Sequence, residues 1–257
     1  MSSCPDADLD LAGRLADAAG AAIRPFFRKR FAMEAKADRS PVTEADRAAE
    51  AAMRAILAAE RPEDGVIGEE YGPDRPDAER VWVLDPIDGT RSFVAGRPIF
   101  GTLVALVEAK IPVLGIIDQP IARERWIGAA GAATTLNGAP VTTRACAALA
   151  EAHLATTGPG YFTPASWAAF ERVRVSARDT LWGGDCYNYG LLAAGHLDLV
   201  IEDGLKLYDF AALVPIVEGA GGTMRDWQGG VLTMTSDGKV IAAGDPRLID
   251  AAVAALA

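Results

Sequence analysis

The chain has 257 residues, of which 50% are hydrophobic and 23% are charged, and its formal net charge is −10. This length and composition are typical of a globular protein with one large domain or two smaller ones. The acidic balance, without any cluster of lysine and arginine, argues against binding to nucleic acid or to an acidic membrane. Three well-separated cysteines and only two histidines indicate neither a disulfide framework nor a zinc site.

The first ten residues, MSSCPDADLD, are polar and acidic, unlike a signal peptide. No segment approaches the roughly 18 apolar residues of a membrane span, so we expect a cytoplasmic protein that does not bind membranes. Apolar residues recur at helical spacing over 9–31, where Pro25 is expected to kink or shorten the helix. A polar loop over 36–46 leads into a second predicted helix, 44–59, with Thr43 as its N-cap.

A run of predicted strands follows, over 66–70, 81–84, 100–107, 112–118 and 124–129. Beyond Pro140, strands alternate with helices, which predicts a layered α/β or α+β protein. The predicted strands there are 152–156, 173–176 and 197–202, and the predicted helices are 164–173, 187–194 and 210–220. Asn137 and Gly138 predict a hairpin turn, and we place a soft boundary between two parts of the chain near residue 145.

The segment WVLDPIDGTRSF ends an apolar strand with two carboxylates, Asp85 and Asp88. Two acids at the end of a buried strand are costly to desolvate and repel each other, so such acids are usually paired with cations. An ordinary strand-ending turn is the alternative, because Asp, Pro and Gly are common turn residues. Gly89 would let the backbone approach a phosphate closely, and Thr90 is expected to begin a short helix whose N–H groups could hold phosphate oxygens.

Acidic residues also recur at the ends of other predicted elements, and the full set is Asp46, Glu69, Asp85, Asp88 and Asp209. Carboxylates crowded into one cleft raise each other's pKa unless a cation lies among them. Oxygen ligands without histidine favour Mg²⁺ over Zn²⁺, and two Mg²⁺ ions can hold the attacking and leaving oxygens of a phosphoryl displacement. Taken singly, Asp46 and Glu69 could be solvated acids, Asp209 a helix cap, and Lys36 an ordinary surface lysine.

Four motifs in this order resemble the inositol monophosphatase family of Mg²⁺-dependent, lithium-sensitive phosphatases. They are Lys36 with TEAD ending at Asp46, GEE over 68–70, DPIDGT over 85–90, and YDFAA over 208–212 followed by Gly-Gly. Tyr208 stands where most of the family has tryptophan. The resemblance implies an alternating αβαβα layered sandwich that is commonly dimeric. A metal-binding α+β domain over 1–145 and an α/β domain over 146–257 would complete one active site.

The resemblance also implies roles for individual residues. The ligands of two or three Mg²⁺ ions would be the carboxylates and one carbonyl of Glu69, Asp85, Ile87, Asp88 and Asp209. Thr90, paired with Asp46, would orient and deprotonate the attacking water, and Glu69 and Lys36 would also belong to the catalytic set. The backbone of Gly89 and Thr90 would bind the phosphate.

The stretches SFVAGRPIFGTLVAL and GGDCYNYGLLAAGHLDLVIEDG are most similar to the histidinol-phosphatase branch of the family. Gly184, Asp185 and Glu202 match positions that contact the alcohol moiety of the substrate in the family. Acids there would suit the ammonium group of L-histidinol phosphate, whose hydrolysis is a step in histidine biosynthesis. Asp185 could instead be a helix N-cap and Glu202 a solvated acid at a strand end. The alternatives are an inositol-1-monophosphatase, another small phosphomonoesterase, or a non-catalytic regulator of the transcription machinery.

Overall fold

A computed structural model describes residues 6–29, 33–35 and 41–257. The chain begins with helix α1 (Asp6–Ile23), followed by the short hairpin strands β1 (Met33–Ala35) and β2 (Pro41–Thr43) and by helix α2 (Glu44–Glu60). The first helix ends two residues before Pro25, as expected for a residue that lacks a backbone N–H. The side chain of Thr43, predicted as an N-cap, lies outside the described part of the chain.

An eight-stranded sheet follows, in the order β10-β9-β8-β7-β6-β5-β3-β4. Its strands are β3 (Gly65–Gly68), β4 (Gly72–Asp74), β5 (Arg80–Asp88), β6 (Gly101–Glu108), β7 (Ile111–Gln119), β8 (Glu124–Ala129), β9 (Thr135–Leu136) and β10 (Ala139–Pro140), with helix α3 (Thr90–Val94) after β5. All neighbours are antiparallel except β3 and β5. Strand β6 is buried along seven consecutive residues, as expected when both faces of a sheet are covered.

A second sheet has five strands, in the order β12-β11-β13-β15-β14. These strands are β11 (His153–Thr156), β12 (Asp179–Trp182), β13 (Leu199–Glu202), β14 (Thr223–Asp226) and β15 (Val240–Ala243). The helices of this part are α4 (Pro164–Arg174), α5 (Tyr187–Ala193), α6 (Leu207–Phe210), α7 (Leu213–Gly219) and α8 (Arg247–Leu256).

Three buried clusters of apolar side chains hold five layers together. One joins α1 and α2 to the outer face of the large sheet. The second lies between the two sheets and contains the buried side chains of α5, α6 and α7. The third joins α4 and α8 to the outer face of the small sheet. The order of layers is therefore αβαβα, and the predicted layered sandwich is confirmed.

The middle layer approaches the large sheet at two glycines. A Cβ on Gly115 of β7 would lie 1.9 Å from the carbonyl oxygen of Ala212, just before α7. A Cβ on Gly128 of β8 would lie 2.4 Å from the carbonyl oxygen of Pro215, within α7. Backbone therefore packs directly on backbone at this contact, and only glycine fits at both positions.

Several predicted elements need correction in the second half. The strand predicted over 173–176 is wrong, because these residues form the end of α4 and the turn after it, and the strand β12 begins at Asp179. The helix predicted over 210–220 is divided into α6 and α7, so Asp209 lies inside α6 and not immediately before a single helix that begins at Phe210.

The boundary proposed near residue 145 falls between the last strand of the large sheet and the first strand of the small one. The division into two domains remains a prediction. Among the described residues, none of the helices combines the length and the apolar composition of a membrane span.

Candidate active site

A cleft of about 270 Å³ opens where β5 of the large sheet and β13 of the small sheet end. Six acidic residues line it: Glu69, Asp85, Asp88, Asp185, Glu202 and Asp209. Two basic residues, Arg91 and Lys206, also line it. Acids that are far apart in the sequence thus share one strongly negative cavity.

Strand β5 is irregular between its two acidic residues. Asp85 pairs with Leu103 of β6 and Asp88 pairs with Gly101, so three residues of β5 advance against two of β6. In a regular strand, side chains three positions apart point to opposite faces. A bulge changes the direction of the side chains that follow it, and both carboxylates consequently face the cleft.

Asp85, Asp88 and Asp209 form a compact group, in which one carboxylate oxygen from each lies within 4.8 Å of the others. Asp88 Oδ2 accepts a hydrogen bond from the Cys186 N–H at 2.5 Å, and Asp209 Oδ2 accepts one from the Lys206 N–H at 2.6 Å. Asp85 Oδ1 is buried and has no hydrogen-bond partner among the described residues. A buried, unpartnered anionic oxygen facing two other carboxylates fits a bound cation.

The pKa values of all three carboxyl groups are raised, as expected for acids that are buried close together. Burial, followed by the charge of Glu69, raises the pKa of Asp85 well above its usual range. Burial and the neighbouring Asp185 do the same to the pKa of Asp88, and burial raises the pKa of Asp209 to about 7. A cation among these oxygens would favour the charged forms again, and oxygen donors without histidine suit Mg²⁺.

The remaining members of the proposed catalytic set lie around this group. Asp46 is 1% exposed in the first turn of α2, and its charge contributes to the raised pKa of Asp85. Glu69 lines the cleft directly after β3, and its N–H donates to the carbonyl of Leu84 at 3.2 Å. Lys36 lies outside the described residues.

The turn after β5 is shaped by Gly89. Its φ is 85°, in the left-handed region that favours glycine, and it precedes the first residue of α3. A Cβ on Gly89 would lie 2.6 Å from Asp185 Oδ2, so the absence of a side chain also makes room for that carboxylate. The Thr90 hydroxyl donates to the carbonyl of Ile87 at 3.1 Å. Thr90 begins α3 as the sequence predicts.

Asp185 faces the cleft and accepts a hydrogen bond from the Ser92 hydroxyl at 2.9 Å. It does not cap α5, since Cys186 occupies the N-cap position without a side-chain hydrogen bond; the helix-cap alternative is therefore wrong. Gly184 is buried, and a Cβ there would lie 2.2 Å from Asn188 Oδ1. Gly184 thus makes room for Asn188 beneath the loop.

Glu202, at the end of β13, is only 2% exposed, so the solvated-acid alternative is wrong. Its Oε1 accepts hydrogen bonds from the Thr157 N–H at 2.6 Å and from the Thr157 hydroxyl at 2.9 Å. Its Oε2 accepts one from the Thr156 hydroxyl at 3.1 Å. Burial outweighs these three donors and raises the pKa of Glu202 to about 7.

Several residues of the cleft were not anticipated, among them Arg91, Thr157, Tyr161 and Lys206. The guanidinium of Arg91 lies 5.4 Å from the centre of the Tyr161 ring, within the range of a cation–π contact. Arg91 directly follows the DPIDGT motif, and this position in the sequence could have indicated that it lies in the cleft. Tyr161 lies in a loop far along the chain, and no local pattern connects it with the strand ends.

A layered αβαβα fold with carboxylates gathered at the end of one strand is typical of a class of metal-dependent phosphatases. The model of the inositol monophosphatase family matches residues 6–257, and the chain belongs to that family. The family predicted from the four motifs is therefore confirmed.

The comparisons with individual proteins cover nearly the whole chain. It is 47% identical over 268 residues to the bifunctional phosphatase IMPL2, chloroplastic, of Arabidopsis thaliana, with 99% of this chain and 78% of that protein covered. It is 36% identical to a histidinol-phosphatase of Chlorobaculum parvum, with 91% and 92% covered. The solved structure of an inositol monophosphatase from Zymomonas mobilis matches with a TM-score of 0.92 and 60% identity over 99% of each chain. These three similar proteins are all named as phosphatases, and the names of the last two give different substrates.

Proposed function

We propose that this protein is a Mg²⁺-dependent phosphomonoesterase that hydrolyses L-histidinol phosphate to L-histidinol and phosphate. The observation that carries the choice of substrate is the pair of carboxylates, Asp185 and Glu202, in the wall of the cleft beside the metal-binding group. An acidic wall favours a substrate whose alcohol part carries a positive charge. The similarity to a histidinol-phosphatase over nine-tenths of the chain supports the same choice.

The proposed metal ligands are Glu69, Asp85, the carbonyl of Ile87, Asp88 and Asp209, which all line the cleft. Two or three Mg²⁺ ions bound there would make water more acidic and neutralise charge on the phosphate and on the leaving oxygen. The charges of Glu69, Asp88 and Asp209 all raise the pKa of Asp85, and a cation bound beside Asp85 would lower it again.

Thr90 and Asp46 would handle the attacking water. The Thr90 hydroxyl donates its own proton to the Ile87 carbonyl, so its oxygen is left to accept a hydrogen bond from that water and to orient it. The buried carboxylate of Asp46 would receive the proton that the water gives up. The backbone at Gly89 and Thr90 would bind the phosphate oxygens, since glycine lets the chain approach them closely.

The substrate ammonium group would be bound by Glu202 and Asp185. A carboxylate offers about four acceptor positions, and the threonine donors occupy three of those on Glu202. One position on Glu202 is therefore left for an ammonium N–H. Asp185 Oδ2 accepts from Ser92. Burial raises the pKa of Asp185, and the Ser92 hydrogen bond and the charges of Arg97 and Arg91 offset this only in part.

The test is phosphate release from L-histidinol phosphate and from inositol 1-phosphate at equal Mg²⁺ concentrations. We expect kcat/KM to favour L-histidinol phosphate at least about tenfold, a difference of about 1.4 kcal/mol in transition-state binding. Glu202→Gln should raise KM for L-histidinol phosphate and change KM for the neutral inositol ester much less, which makes the neutral substrate an internal control. A preference of the wild-type protein for inositol 1-phosphate would contradict the proposal.

The second candidate is an inositol-1-monophosphatase, which the 60% identity to the Zymomonas mobilis structure favours. Both candidates use the same carboxylates, so the substrate comparison separates them. A full set of metal-binding acids argues against a non-catalytic regulator, which would have no need of it. A homodimer in the cytoplasm remains our prediction from the family resemblance.

A further inference from the structure

An ion pair between a buried carboxylate and a partly buried guanidinium lies on α2, outside the residues that line the cleft. Glu50 is completely buried, and its Oε1 accepts a hydrogen bond from Arg54 Nε at 2.7 Å, one helical turn along. The same carboxylate accepts two backbone hydrogen bonds from the turn between β3 and β4. The Glu70 N–H donates to Oε2 at 2.7 Å, and the Tyr71 N–H donates to Oε1 at 3.2 Å.

The partner side chain binds the same turn. Arg54 Nη2 donates to the carbonyl oxygen of Gly72. The ion pair therefore binds two N–H groups of the turn through Glu50 and one carbonyl group through Arg54. Gly68 leaves the space for it, because a Cβ at that position would lie 2.0 Å from Glu50 Oε1. A fully buried carboxylate is stable when its charge is paired and its oxygens are hydrogen-bonded, and Glu50 satisfies both conditions.

The turn carries Glu69, the proposed metal ligand on this side of the cleft. The N–H of Glu69 donates to the carbonyl of Leu84, the residue before Asp85. The next two N–H groups of the chain, those of Glu70 and Tyr71, donate to Glu50. The backbone at Glu69 is therefore fixed to β5 on one side and to α2 on the other.

We propose that Glu50 and Arg54 are positioning residues that hold Glu69 in place for Mg²⁺ binding. This inference rests on the proposed function of the cleft, and neither residue touches the substrate. Residues that orient a metal ligand typically contribute about 10- to 100-fold to metal affinity. Loss of the ion pair leaves the Glu69 side chain intact and releases the turn that aims it.

Glu50→Gln is the sharpest perturbation, because it keeps the size of the side chain and removes one acceptor. Each oxygen of Glu50 accepts at least one N–H from the turn, so the new amide group must face an N–H donor whichever way it is oriented. Glu60→Gln is the matched control. Glu60 ends the same helix, and it forms an exposed ion pair with Arg14, at 2.5 Å.

The primary measurement is Mg²⁺ affinity by isothermal titration calorimetry, without any substrate. We expect Glu50→Gln to bind Mg²⁺ about 10- to 100-fold more weakly and Glu60→Gln to bind it as the wild type does. At saturating Mg²⁺, kcat and KM of Glu50→Gln should return close to the wild-type values, which separates a positioning role from general loss of structure. Gly68→Ala, which displaces the Glu50 carboxylate, should produce the same loss, and the double variant should bind no more weakly than either single variant.

Mg²⁺ affinity of a folded Glu50→Gln within about twofold of the wild type would overturn the proposal. If Glu50→Gln does not fold, Arg54→Lys replaces it as the test variant. This substitution keeps the positive charge and removes the hydrogen bond from the guanidinium to the Gly72 carbonyl. A Mg²⁺ affinity of Arg54→Lys within about twofold of the wild type would then overturn the proposal. A wild-type protein that binds Mg²⁺ and hydrolyses neither ester would refute the proposed substrate, while the ratio of affinities would still decide the positioning role. A wild-type protein that binds no Mg²⁺ would refute both.

Discussion

The buried carboxylate of Glu202 makes the stability of the metal-free protein depend on pH. Burial raises its pKa from the ordinary value of 4.5 to about 7 in the folded state. The folded protein therefore binds this proton more tightly than the unfolded chain does. The resulting stabilisation is complete below pH 4.5, and it is lost as the pH rises through about 7.

The size of the effect follows from the two pKa values. A difference of about 2.5, from 4.5 to about 7, corresponds to roughly 3.4 kcal/mol, since each pKa unit represents about 1.4 kcal/mol. Between pH 5 and pH 8 the free energy of unfolding should fall by about 2.5 kcal/mol because of this group alone. Glu202→Gln removes the titration, and the Thr156 hydroxyl, which donates to Glu202, can rotate to accept from the new amide.

The assay is urea unfolding of the wild type and of Glu202→Gln at pH 5 and pH 8, with EDTA to remove metal ions. The other buried carboxylates of the cleft are common to both proteins, so the difference between their pH dependences isolates Glu202. We expect the wild type to lose about 2.5 kcal/mol more than the variant over this range. Equal losses would show that Glu202 is ionised in the folded protein at both pH values and would refute the reasoning.

The other predictions concern the metal site and the packing beneath it. Asp88→Asn and Asp209→Asn should each weaken Mg²⁺ binding and lower turnover at least about 100-fold; near-normal turnover of both at low Mg²⁺ would contradict the proposed ligands. Mg²⁺ at 100 times its Kd should stabilise the folded wild type by about 2.7 kcal/mol in thermal unfolding, and Asp209→Asn should lose this gain. Gly115→Ala should lower the free energy of unfolding by about 1–3 kcal/mol or more, because its methyl group would lie 1.9 Å from the Ala212 carbonyl oxygen; urea unfolding equal to the wild type would refute a rigid contact there.

The large sheet was predictable because its central strands are continuous apolar runs. Strands β5 and β7 extend their predicted segments, β6 is shifted by one residue from its segment, and β8 matches its segment at both ends. The second half was harder. Val173 and Val175 have β-branched side chains that favour strands, but they lie at the end of a helix that Thr163 caps with its side chain. The tertiary context of α4 outweighs that local preference. Strands β14 and β15 and helix α8 were not predicted.

The candidate site divides in the same way. The acids of the DPIDGT motif stand close together in the sequence, and their spacing at the end of an apolar strand indicated a cation site, with an ordinary turn as the alternative. Asp209 is more than a hundred residues away; its place at the end of a predicted element suggested that it shares a cleft with them, and its role as a metal ligand came from the family resemblance. The contact between Arg91 and Tyr161 depends on how distant elements meet, which no local pattern encodes. The i,i+4 spacing of Glu50 and Arg54 on α2 can be read in the sequence, but their contacts with the turn between β3 and β4 cannot. The assignment of catalytic and metal-binding roles stays a prediction until the variants are measured.

The glycine contact between the middle helices and the large sheet has a consequence for how this enzyme can change over time. At Gly115 and Gly128 the spacing between α7 and the sheet is set by backbone atoms, which do not vary when side chains are exchanged. Asp209 lies just before that helix, and Asp85 lies on the sheet. The core elsewhere can therefore accept apolar substitutions of similar volume, at some cost in stability, while the distance between these two carboxylates stays nearly constant. Apolar residues of the interior can therefore be exchanged during evolution with little effect on the geometry of the cleft.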